Sequence, residues 1–183
     1  MMDFISLAAG LVSPDTATCR TIADFTEAAE HRRWQVVNDG VMGGLSEGQL
    51  YPREDRLVFA GTINTNGGGF SSIRRRVGDG LLEGATKLRV TMQGDARPYQ
   101  LSLRSDVAWR GRSVAYRGTL RPQDQGDGWS IATVSLKRLQ PSIFGQRVRA
   151  PAFDASRARS IGFILADGRD GPFDMSVRKI EAC

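Results

Sequence analysis

The residues of this chain that could do acid–base or metal chemistry are few and widely spaced. His31 is the single histidine among 183 residues, and it lies at the end of a predicted helix, where the helix dipole favours a cation. Cys19 and Cys183 lie near opposite ends of the chain, and neither belongs to a Cys-x-x-Cys pair. A hydrolytic triad needs a base beside a nucleophile, and a zinc site needs several His or Cys ligands. The sequence therefore predicts no catalytic residue, no metal and no cofactor, and we expect that the protein is not an enzyme.

Carboxylates offer two further kinds of site. Asp167, Asp170 and Asp174 are close in sequence and could surround a calcium ion, but their spacing does not match an EF-hand loop. Clustered Asp and Gly are first of all turn formers. Asp39 and Asp95 would have to flank one bond to act as a glycosidase pair, and the linear sequence does not bring them together. We therefore predict turns here, and we keep calcium only as the alternative.

The glycine-rich stretch at residues 64–69 must be weighed as a nucleotide-binding loop. It lacks the Lys-Ser/Thr of a P-loop and runs into a predicted strand instead of a helix. We expect a flexible hairpin or a close backbone contact at this place.

Aromatic residues could form a stacking platform for sugar rings. Trp34, Trp129, Tyr99 and Tyr116 have the strand phase that faces a core, so we expect them inside. Trp109 stands apart, because it lies beside arginines in an apparent loop at residues 108–111, where an aromatic side chain suits a binding surface. A carbohydrate-binding domain is therefore the alternative function.

The elements that must position these side chains are predicted to be strands. Apolar residues alternate strictly at residues 88–92 and 99–103 and loosely at residues 57–63. Further runs lie at residues 114–116, 129–136, 161–165 and 173–177, with Gly-Asp turn signals between the strands. Eight or more strands at this spacing predict an all-β sandwich or jelly roll.

Two local irregularities are also predicted. Asp24 with Glu27 three residues later is typical of a capping box, which predicts a short helix through about Glu30. Ile180 falls out of phase with the alternation that ends at Val177, which predicts a β-bulge near Arg178.

The most informative segment is residues 34–46, where a strand-like run passes into a turn, a short apolar stretch and a second turn. One interpretation is structural: Asn38 and Asp39 bond backbone amides, Met42 plugs the end of the sandwich, and the glycines permit the turn. The other is functional, because loops on a rigid sandwich often bind partners, and Asn38 and Asp39 would then present polar groups.

This segment resembles the hallmark of the complex I intermediate-associated protein 30 family, which has a Trp, then Asn-Asp-Gly-Val-Met-Gly-Gly, then a Ser two residues on. The matching positions are Trp34, residues 38–44 and Ser46. Similar positions follow in the same order to the end of the chain: Phe59, Gly61, Gly68-Gly69-Phe70, Ser72, Arg74, Gly94-Asp95, Arg97, Tyr99, Leu101, Arg104, Trp129, Phe144-Gly145, Arg147, Asp170-Gly171-Pro172-Phe173 and Ile180. Near Phe144 the family often has Gly-Arg, whereas this chain has Gly145-Gln146-Arg147.

The resemblance implies a galactose-binding-like β-sandwich and a non-catalytic module that acts as an assembly chaperone for respiratory complex I. The implied partners are protein subunits of a respiratory or other membrane-associated complex, with carbohydrate as the alternative ligand and peripheral membrane contact as a further expectation. The candidate partner-binding residues are Asn38, Asp39, Met42, Gly43, Gly44, Ser46, Arg74 and Trp109.

Composition sets the remaining expectations. The net charge of +5 is modest, and the run Arg74-Arg75-Arg76 alternates faces in a strand, so we expect a solvated strand end and no nucleic-acid partner. We expect residues 1–20 to be an N-terminal segment and residues 21–183 to be one domain. Residues 4–12 are too short for a membrane span and lack the basic start of a signal peptide. We expect a cytoplasmic protein, or one peripheral to the inner membrane. The sequence allows a disulfide between Cys19 and Cys183 but does not imply one, and we favour two free thiols.

Overall fold

Strands account for most of the structure, a computed structural model that describes residues 18–183. They are β1 (Arg20–Asp24), β2 (Gln35–Asn38), β3 (Glu47–Pro52), β4 (Leu57–Ile63), β5 (Ser71–Arg76), β6 (Lys87–Gly94), β7 (Gln100–Trp109), β8 (Arg112–Thr119), β9 (Pro122–Asp124), β10 (Ser130–Ser135), β11 (Gln140–Ile143), β12 (Gln146–Arg147), β13 (Ala158–Leu165) and β14 (Gly171–Ala182). One short helix, α1, covers Ala28–His31, and 3-10 turns cover Asp39–Met42, Leu136–Arg138 and Ala155–Arg157.

The strands form two antiparallel sheets. The first sheet has the order β3-β4-β14-β6-β10-β9, with β1 paired to the far end of β14. The second sheet has the order β12-β11-β8-β7-β13-β5-β2. The fold is thus the galactose-binding-like β-sandwich that the sequence predicted.

The core lies between the sheets and follows the predicted alternation. Leu88, Val90 and Met92 of β6 are buried, and Leu101 and Leu103 of β7 are buried in the second sheet. The aromatic residues assigned to the core by their strand phase are buried as predicted: Trp34, Trp129, Tyr99 and Tyr116.

Three local predictions have different outcomes. The ladder between β14 and β6 shifts register between Val177 and Lys179, which confirms the bulge near Arg178. The helix exists, but Glu27 is its N-cap and makes no side-chain capping bond. Asp24 instead accepts hydrogen bonds from the backbone N–H and hydroxyl of Thr26, so it closes the preceding turn.

The two ends of the described chain are joined covalently. Cys19 and Cys183 form a disulfide, so the expectation of two free thiols is wrong. Sequence separation hid the pair, because β1 returns to the end of β14, with Arg20 opposite Ala182. The bond therefore joins two chain ends that strand pairing has already brought together.

The arginine run 74–76 alternates as expected, but one member is not solvated. Arg74 and Arg76 are exposed, whereas Arg75 is buried with its Nε 3.1 Å from Glu30 Oε1. Glu30 also accepts a hydrogen bond from Trp34 Nε1 at 3.0 Å. The prediction of a solvated strand end is therefore wrong for Arg75, because a buried carboxylate in α1 lies within reach of its guanidinium.

Two expectations concern residues at the start of the chain. The N-terminal run at residues 4–12 lies outside the described residues, and the division between residues 20 and 21 stays a prediction. Within residues 18–183, no helix has the length and apolar character needed to cross a membrane.

Candidate functional site

Asp39 organises the loop that follows β2. Its carboxylate is completely buried and accepts four hydrogen bonds: from Ser46 N at 2.9 Å, Ser46 Oγ at 2.6 Å, Gly69 N at 2.6 Å and Phe70 N at 3.1 Å. Ser46 Oγ in turn accepts the N–H of Asn64 at 3.1 Å. One carboxylate thus fixes residues 39–46 against the crossover between β4 and β5.

Hydrogen bonding keeps the Asp39 carboxylate ionised. Burial by itself would raise the pKa of Asp39, but the Ser46 hydroxyl and the N–H groups of Gly69, Phe70 and Ser46 lower it below its ordinary value. The loop therefore depends on a charged group that solvent does not reach.

The Asp39 carboxylate leaves no room for a side chain at two glycines, Gly44 in the segment at residues 34–46 and Gly68 in the stretch at residues 64–69. A Cβ on Gly44 would lie 2.2 Å from Asp39 Cγ, and a Cβ on Gly68 would lie 2.3 Å from Asp39 Oδ2. Gly43 has a different reason, since its φ of 85° ends the 3-10 turn in the left-handed region. Of the two alternatives predicted for residues 64–69, the close backbone contact is therefore confirmed. The flexible hairpin is wrong, because this stretch connects β4 of the first sheet to β5 of the second sheet.

The side-chain amide of Asn38 links β2 to β3 and β5 by hydrogen bonds, as a backbone amide would. Its Oδ1 accepts from Gly48 N at 3.1 Å and from Ser71 Oγ at 2.6 Å, and its Nδ2 donates to Gly48 O at 3.3 Å. Asn38 and Asp39 therefore position the loop, as the structural interpretation of these two residues expected, and Ser46 takes part in the same hydrogen bonding. Their predicted contact with a partner stays a prediction.

Met42 lies outside the sandwich. Its side chain is 50% exposed, and its neighbour Leu45 is 60% exposed, so Met42 does not plug the end of the core. Met42 instead borders a cavity of about 470 Å³ on the outer face of the second sheet. Arg74 lines the same cavity, so the structure brings together two of the predicted site residues.

We call this cavity the arginine groove, because Arg74 of β5, Arg104 of β7 and Arg117 of β8 line it. Its floor is set by strand register: Arg74 lies opposite Gly162, Gly162 opposite Ser102, and Ser102 opposite Arg117. Small residues thus separate the outer two arginines and leave the floor open.

The guanidinium groups of the groove are crowded and poorly compensated. Burial lowers the pKa of Arg104, and the charge of Arg74 lowers it further; burial and then the charge of Arg104 lower the pKa of Arg117. No salt bridge within the described residues involves any of the three. Arg117 Nε is buried and has no hydrogen-bond partner there.

Phe144 also borders the groove. It begins the two-residue turn between β11 and β12, where Phe144 has φ 49° and Gly145 has φ 79°. A bulky residue in this region is strained. Its ring is 66% exposed, with the Arg112 guanidinium 5.0 Å from its centroid. Strain at an exposed aromatic side chain is the kind of outlier that accompanies ligand contact.

The basic character continues beyond the groove. A cavity of about 1110 Å³ shares Arg74 and Arg104 with it and adds Arg32, Arg76 and Arg159. A second neighbour of about 840 Å³ shares Arg117 and adds Arg121, Lys137, Arg138 and Arg147. Among residues 18–183, no Asp or Glu lines any of these three cavities.

Trp109 is not part of this surface. It ends β7 and is followed by a tight turn at Arg110 and Gly111, so the apparent loop is a hairpin. The indole is partly buried against the core, and the Arg110 guanidinium lies 4.4 Å from its ring centroid. The structure therefore separates Trp109 from Met42 and Arg74.

The remaining carboxylates hold loops. Asp167 pairs with Arg97 at 2.7 Å, and Asp170 accepts the N–H of Thr65 at 2.6 Å. Asp95 accepts the N–H of Asp174 at 2.9 Å, in a network separate from that of Asp39. Among residues 18–183, no group of three or more His, Cys, Asp or Glu side chains is arranged to hold a metal ion.

Comparison with known protein families confirms the resemblance found in residues 34–46. The model of the family described as Complex I intermediate-associated protein 30 (CIA30) matches residues 23–177. The chain belongs to the CIA30 family. Among curated protein sequences, none matches the chain significantly.

Solved structures resemble this CIA30 protein in fold alone. The family 11 carbohydrate-binding module of the cellulosomal cellulase Lic26A-Cel5E of Clostridium thermocellum has a TM-score of 0.64 and 13% identity over 90% of this chain and 93% of the module. The same family 11 module in complex with a β-1,3-1,4-mixed-linked tetrasaccharide has a TM-score of 0.64 and 13% identity over 90% of this chain and 94% of the module. The agarase AgWH50C gives 0.52 and 10% identity over 90% of this chain but only 24% of the enzyme.

Arg104, Arg117 and Phe144 are the groove residues that the sequence did not single out as a site. Arg104 and Phe144 did stand in segments that resemble the CIA30 family. Arg117 carried only one signal, since it alternates with buried Tyr116 and so had to face outward.

Proposed function

We propose that this CIA30-family protein is a non-catalytic binding module that holds protein subunits of respiratory complex I during assembly. The arginine groove and its apolar rim, Met42 and Phe144, would form the binding surface. The observation that carries this proposal is that two exposed apolar side chains border one open cavity, on a loop and a turn of the sandwich, where binding residues are common.

The state of the carboxylates supports a non-catalytic role. Asp39 has four hydrogen-bond donors, and Asp167 is paired with Arg97. A general acid or base needs a carboxyl group that can exchange a proton with a substrate. Asp39 and Asp167 are instead ionised groups that hold loops in place. Burial raises the pKa of each carboxyl group, but hydrogen bonds lower it by more, so each pKa lies below its ordinary value.

A test of the assembly role is crosslinked purification of the tagged full chain from its native cells, with partners identified by mass spectrometry. We expect enrichment of NADH dehydrogenase subunits, and loss of that enrichment for Met42→Ser and Phe144→Ser. Tyr51→Ser is the matched control, because Tyr51 is exposed on β3 of the first sheet. The proposal fails if no respiratory subunit is enriched at equal expression.

Carbohydrate binding is the second candidate, favoured by one observation. The fold resembles a carbohydrate-binding module that has been solved with a mixed-linked tetrasaccharide. Such binding would raise Tm, and the stabilisation grows with the logarithm of one plus the ratio of ligand concentration to Kd. A thermal-shift series with β-1,3-1,4-linked oligosaccharides tests it, and an unchanged Tm at millimolar ligand removes this candidate.

The cellular location is also a proposal. The sequence led us to expect a cytoplasmic protein or one at the inner membrane, and the family name favours the second. The disulfide between Cys19 and Cys183 argues for an oxidising compartment, because reducing compartments keep such thiols reduced. Rapid alkylation of cell extracts, with and without prior reduction, distinguishes the two states of the cysteines.

A further inference from the structure

We propose that the arginine groove binds an extended acidic segment of a polypeptide, whose carboxylates pair with Arg74, Arg104 and Arg117. This inference rests on the proposed function in taking a protein as partner, and it adds the chemistry of the segment that is recognised.

The spacing of the arginines matches an extended chain. Arg74 and Arg117 lie in one cross-strand row, separated by Gly162 and Ser102. Three strand spacings of about 4.8 Å put their backbones roughly 14 Å apart. Carboxylates four residues apart on an extended peptide are about 13 Å apart. A peptide that crosses the strands could therefore reach both arginines at once.

Arg104 lines the groove beside the row that joins Arg74 and Arg117. It lies two residues from Ser102 along β7, opposite Ser160, and one N–H of its guanidinium donates to Ser113 O at 3.2 Å. An intermediate carboxylate on the peptide would therefore meet Arg104 between the two outer arginines.

Charge favours an anionic occupant. Within the described part of the chain, Arg74, Arg104 and Arg117 have no carboxylate partner, and no acidic residue lines the groove. Arg117 Nε lacks any hydrogen-bond partner there. A buried donor left unpaired is costly. Carboxylates bind guanidinium groups with two parallel hydrogen bonds, so an acidic peptide would satisfy these donors.

The shape and rim of the groove favour a polypeptide over other polyanions. Arg104 and Arg117 are half-buried, so a flat layer of lipid headgroups would reach them poorly. Single-stranded nucleic acid is held by stacking on aromatic side chains. Among the described residues that line the cavity, Phe144 is the one exposed aromatic side chain, whereas Phe70 is half-buried and Phe163 is buried, so the groove offers no row of exposed rings for successive bases. Met42 and Phe144 at the rim offer apolar contacts to side chains that flank the carboxylates.

The test uses the full chain and a fluorescein-labelled decaglutamate peptide, with binding followed by fluorescence anisotropy at low and physiological salt. We expect saturable binding, with Kd raised at least tenfold in Arg104→Gln and Arg117→Gln and severalfold in Arg74→Gln. Arg53→Gln is the matched control, because Arg53 is exposed after β3 in the first sheet and should change Kd less than twofold. Thermal melts identify any variant that fails to fold, and exposed Arg74 provides a variant that leaves the fold intact.

Three outcomes would overturn the inference. The first is the absence of binding at 1 mM peptide at low salt, and the second is equal loss in Arg53→Gln and Arg117→Gln. The third is tighter binding of an oligogalacturonate, an anionic phosphatidylglycerol vesicle or a single-stranded oligonucleotide than of decaglutamate, since that would assign the groove to another polyanion.

The two proposals can fail separately. Capture of complex I subunits that survives Arg104→Gln and Arg117→Gln would sustain the assembly role and reject the groove as its acidic-peptide site. Decaglutamate binding that depends on these arginines, without capture of any respiratory subunit, would sustain the groove and reject the assembly role.

Discussion

At the scale of single residues, Asp39 should be the most sensitive position of the loop. Asp39→Asn replaces one accepting oxygen by an NH₂ group that faces N–H donors, so at least one donor loses its partner. We expect the free energy of unfolding at neutral pH to fall by about 3 kcal/mol. Asp79→Asn should change it by less than about 0.5 kcal/mol, because Asp79 is exposed in a surface ion pair. Urea denaturation measures both.

The same carboxylate predicts a pH dependence. The folded-state pKa of Asp39 is lowered, so its ionised form contributes stability above the unfolded pKa of about 3.9, and that contribution is lost as pH falls through the folded pKa. The difference between wild type and Asp39→Asn should therefore shrink below about pH 4. A difference that grows on acidification would contradict this role.

A further prediction tests whether close approach to Asp39 is the reason for glycine at position 44. Gly44→Ala puts a Cβ 2.2 Å from the Asp39 carboxyl carbon, whereas Gly40→Ala meets no atom within 4 Å. We expect Gly44→Ala to lower the free energy of unfolding by about 2 kcal/mol and Gly40→Ala to leave it nearly unchanged. Thermal melts give both values, and equal effects would show that close approach to Asp39 is not the constraint.

These residue types were predictable, but their partners were not. The sequence allowed Asn38 and Asp39 either to bond backbone amides or to face a partner. Asp39 meets donors in residues 69 and 70, thirty positions away, because β5 crosses to the sheet that contains β2. No local pattern records such a contact.

At the scale of elements, two matched hairpins test whether the strain at Phe144 serves binding. Phe144 and Arg110 each begin a two-residue turn with φ 49° followed by glycine. Asn tolerates this conformation, so Phe144→Asn and Arg110→Asn should each raise the free energy of unfolding by about 0.5 kcal/mol. Only Phe144→Asn should weaken subunit capture. Equal capture by both variants would show that the Phe144 ring is not part of the binding surface.

The disulfide makes a further prediction at this scale, because it joins the start of β1 to the end of β14. Loop-closure entropy for a separation of 164 residues gives a stabilisation of about 5 kcal/mol, which we take as an upper value because structure that persists in the unfolded chain reduces the gain. We expect Cys19→Ser with Cys183→Ser to lower Tm markedly, and dithiothreitol to lower the Tm of the wild type but not of the variant. An unchanged Tm under reduction would mean that strand pairing alone holds the ends.

The elements themselves were largely predictable, since alternation marks β6, β7 and β14, a continuous apolar run marks β13, and the phase slip marks the bulge at Arg178. The errors lie where tertiary contact overrides a local pattern. Asp24 bonds Thr26 instead of capping α1, and Arg75 is buried because Glu30 can pair with it. Trp109 continues a strand because the following Arg110 and Gly111 close a hairpin.

At the scale of the whole molecule, the groove is what the linear sequence could not predict. Arg104 and Arg117 lie on the neighbouring strands β7 and β8, but Arg74 lies on β5, and its approach to them depends on the register of β13 between β5 and β7. The alternation predicted only that each faces outward. A net charge of +5 gave no sign that basic residues would gather on one side.

This uneven charge predicts separate effects on the two rate constants for acidic-peptide binding. Lys137 and Arg138 are exposed beside the cavity that adjoins the groove, so they should act through long-range attraction, whereas half-buried Arg117 should hold the bound peptide. In stopped-flow measurements with decaglutamate, Lys137→Gln with Arg138→Gln should lower kon severalfold at low salt, and the difference should vanish near 0.5 M salt, where screening shortens the range of the field. Arg117→Gln should mainly raise koff, and Arg53→Gln should change neither constant.

A rise in koff with unchanged kon in the Lys137 and Arg138 variant would contradict steering, because it would place those side chains in direct contact with the peptide.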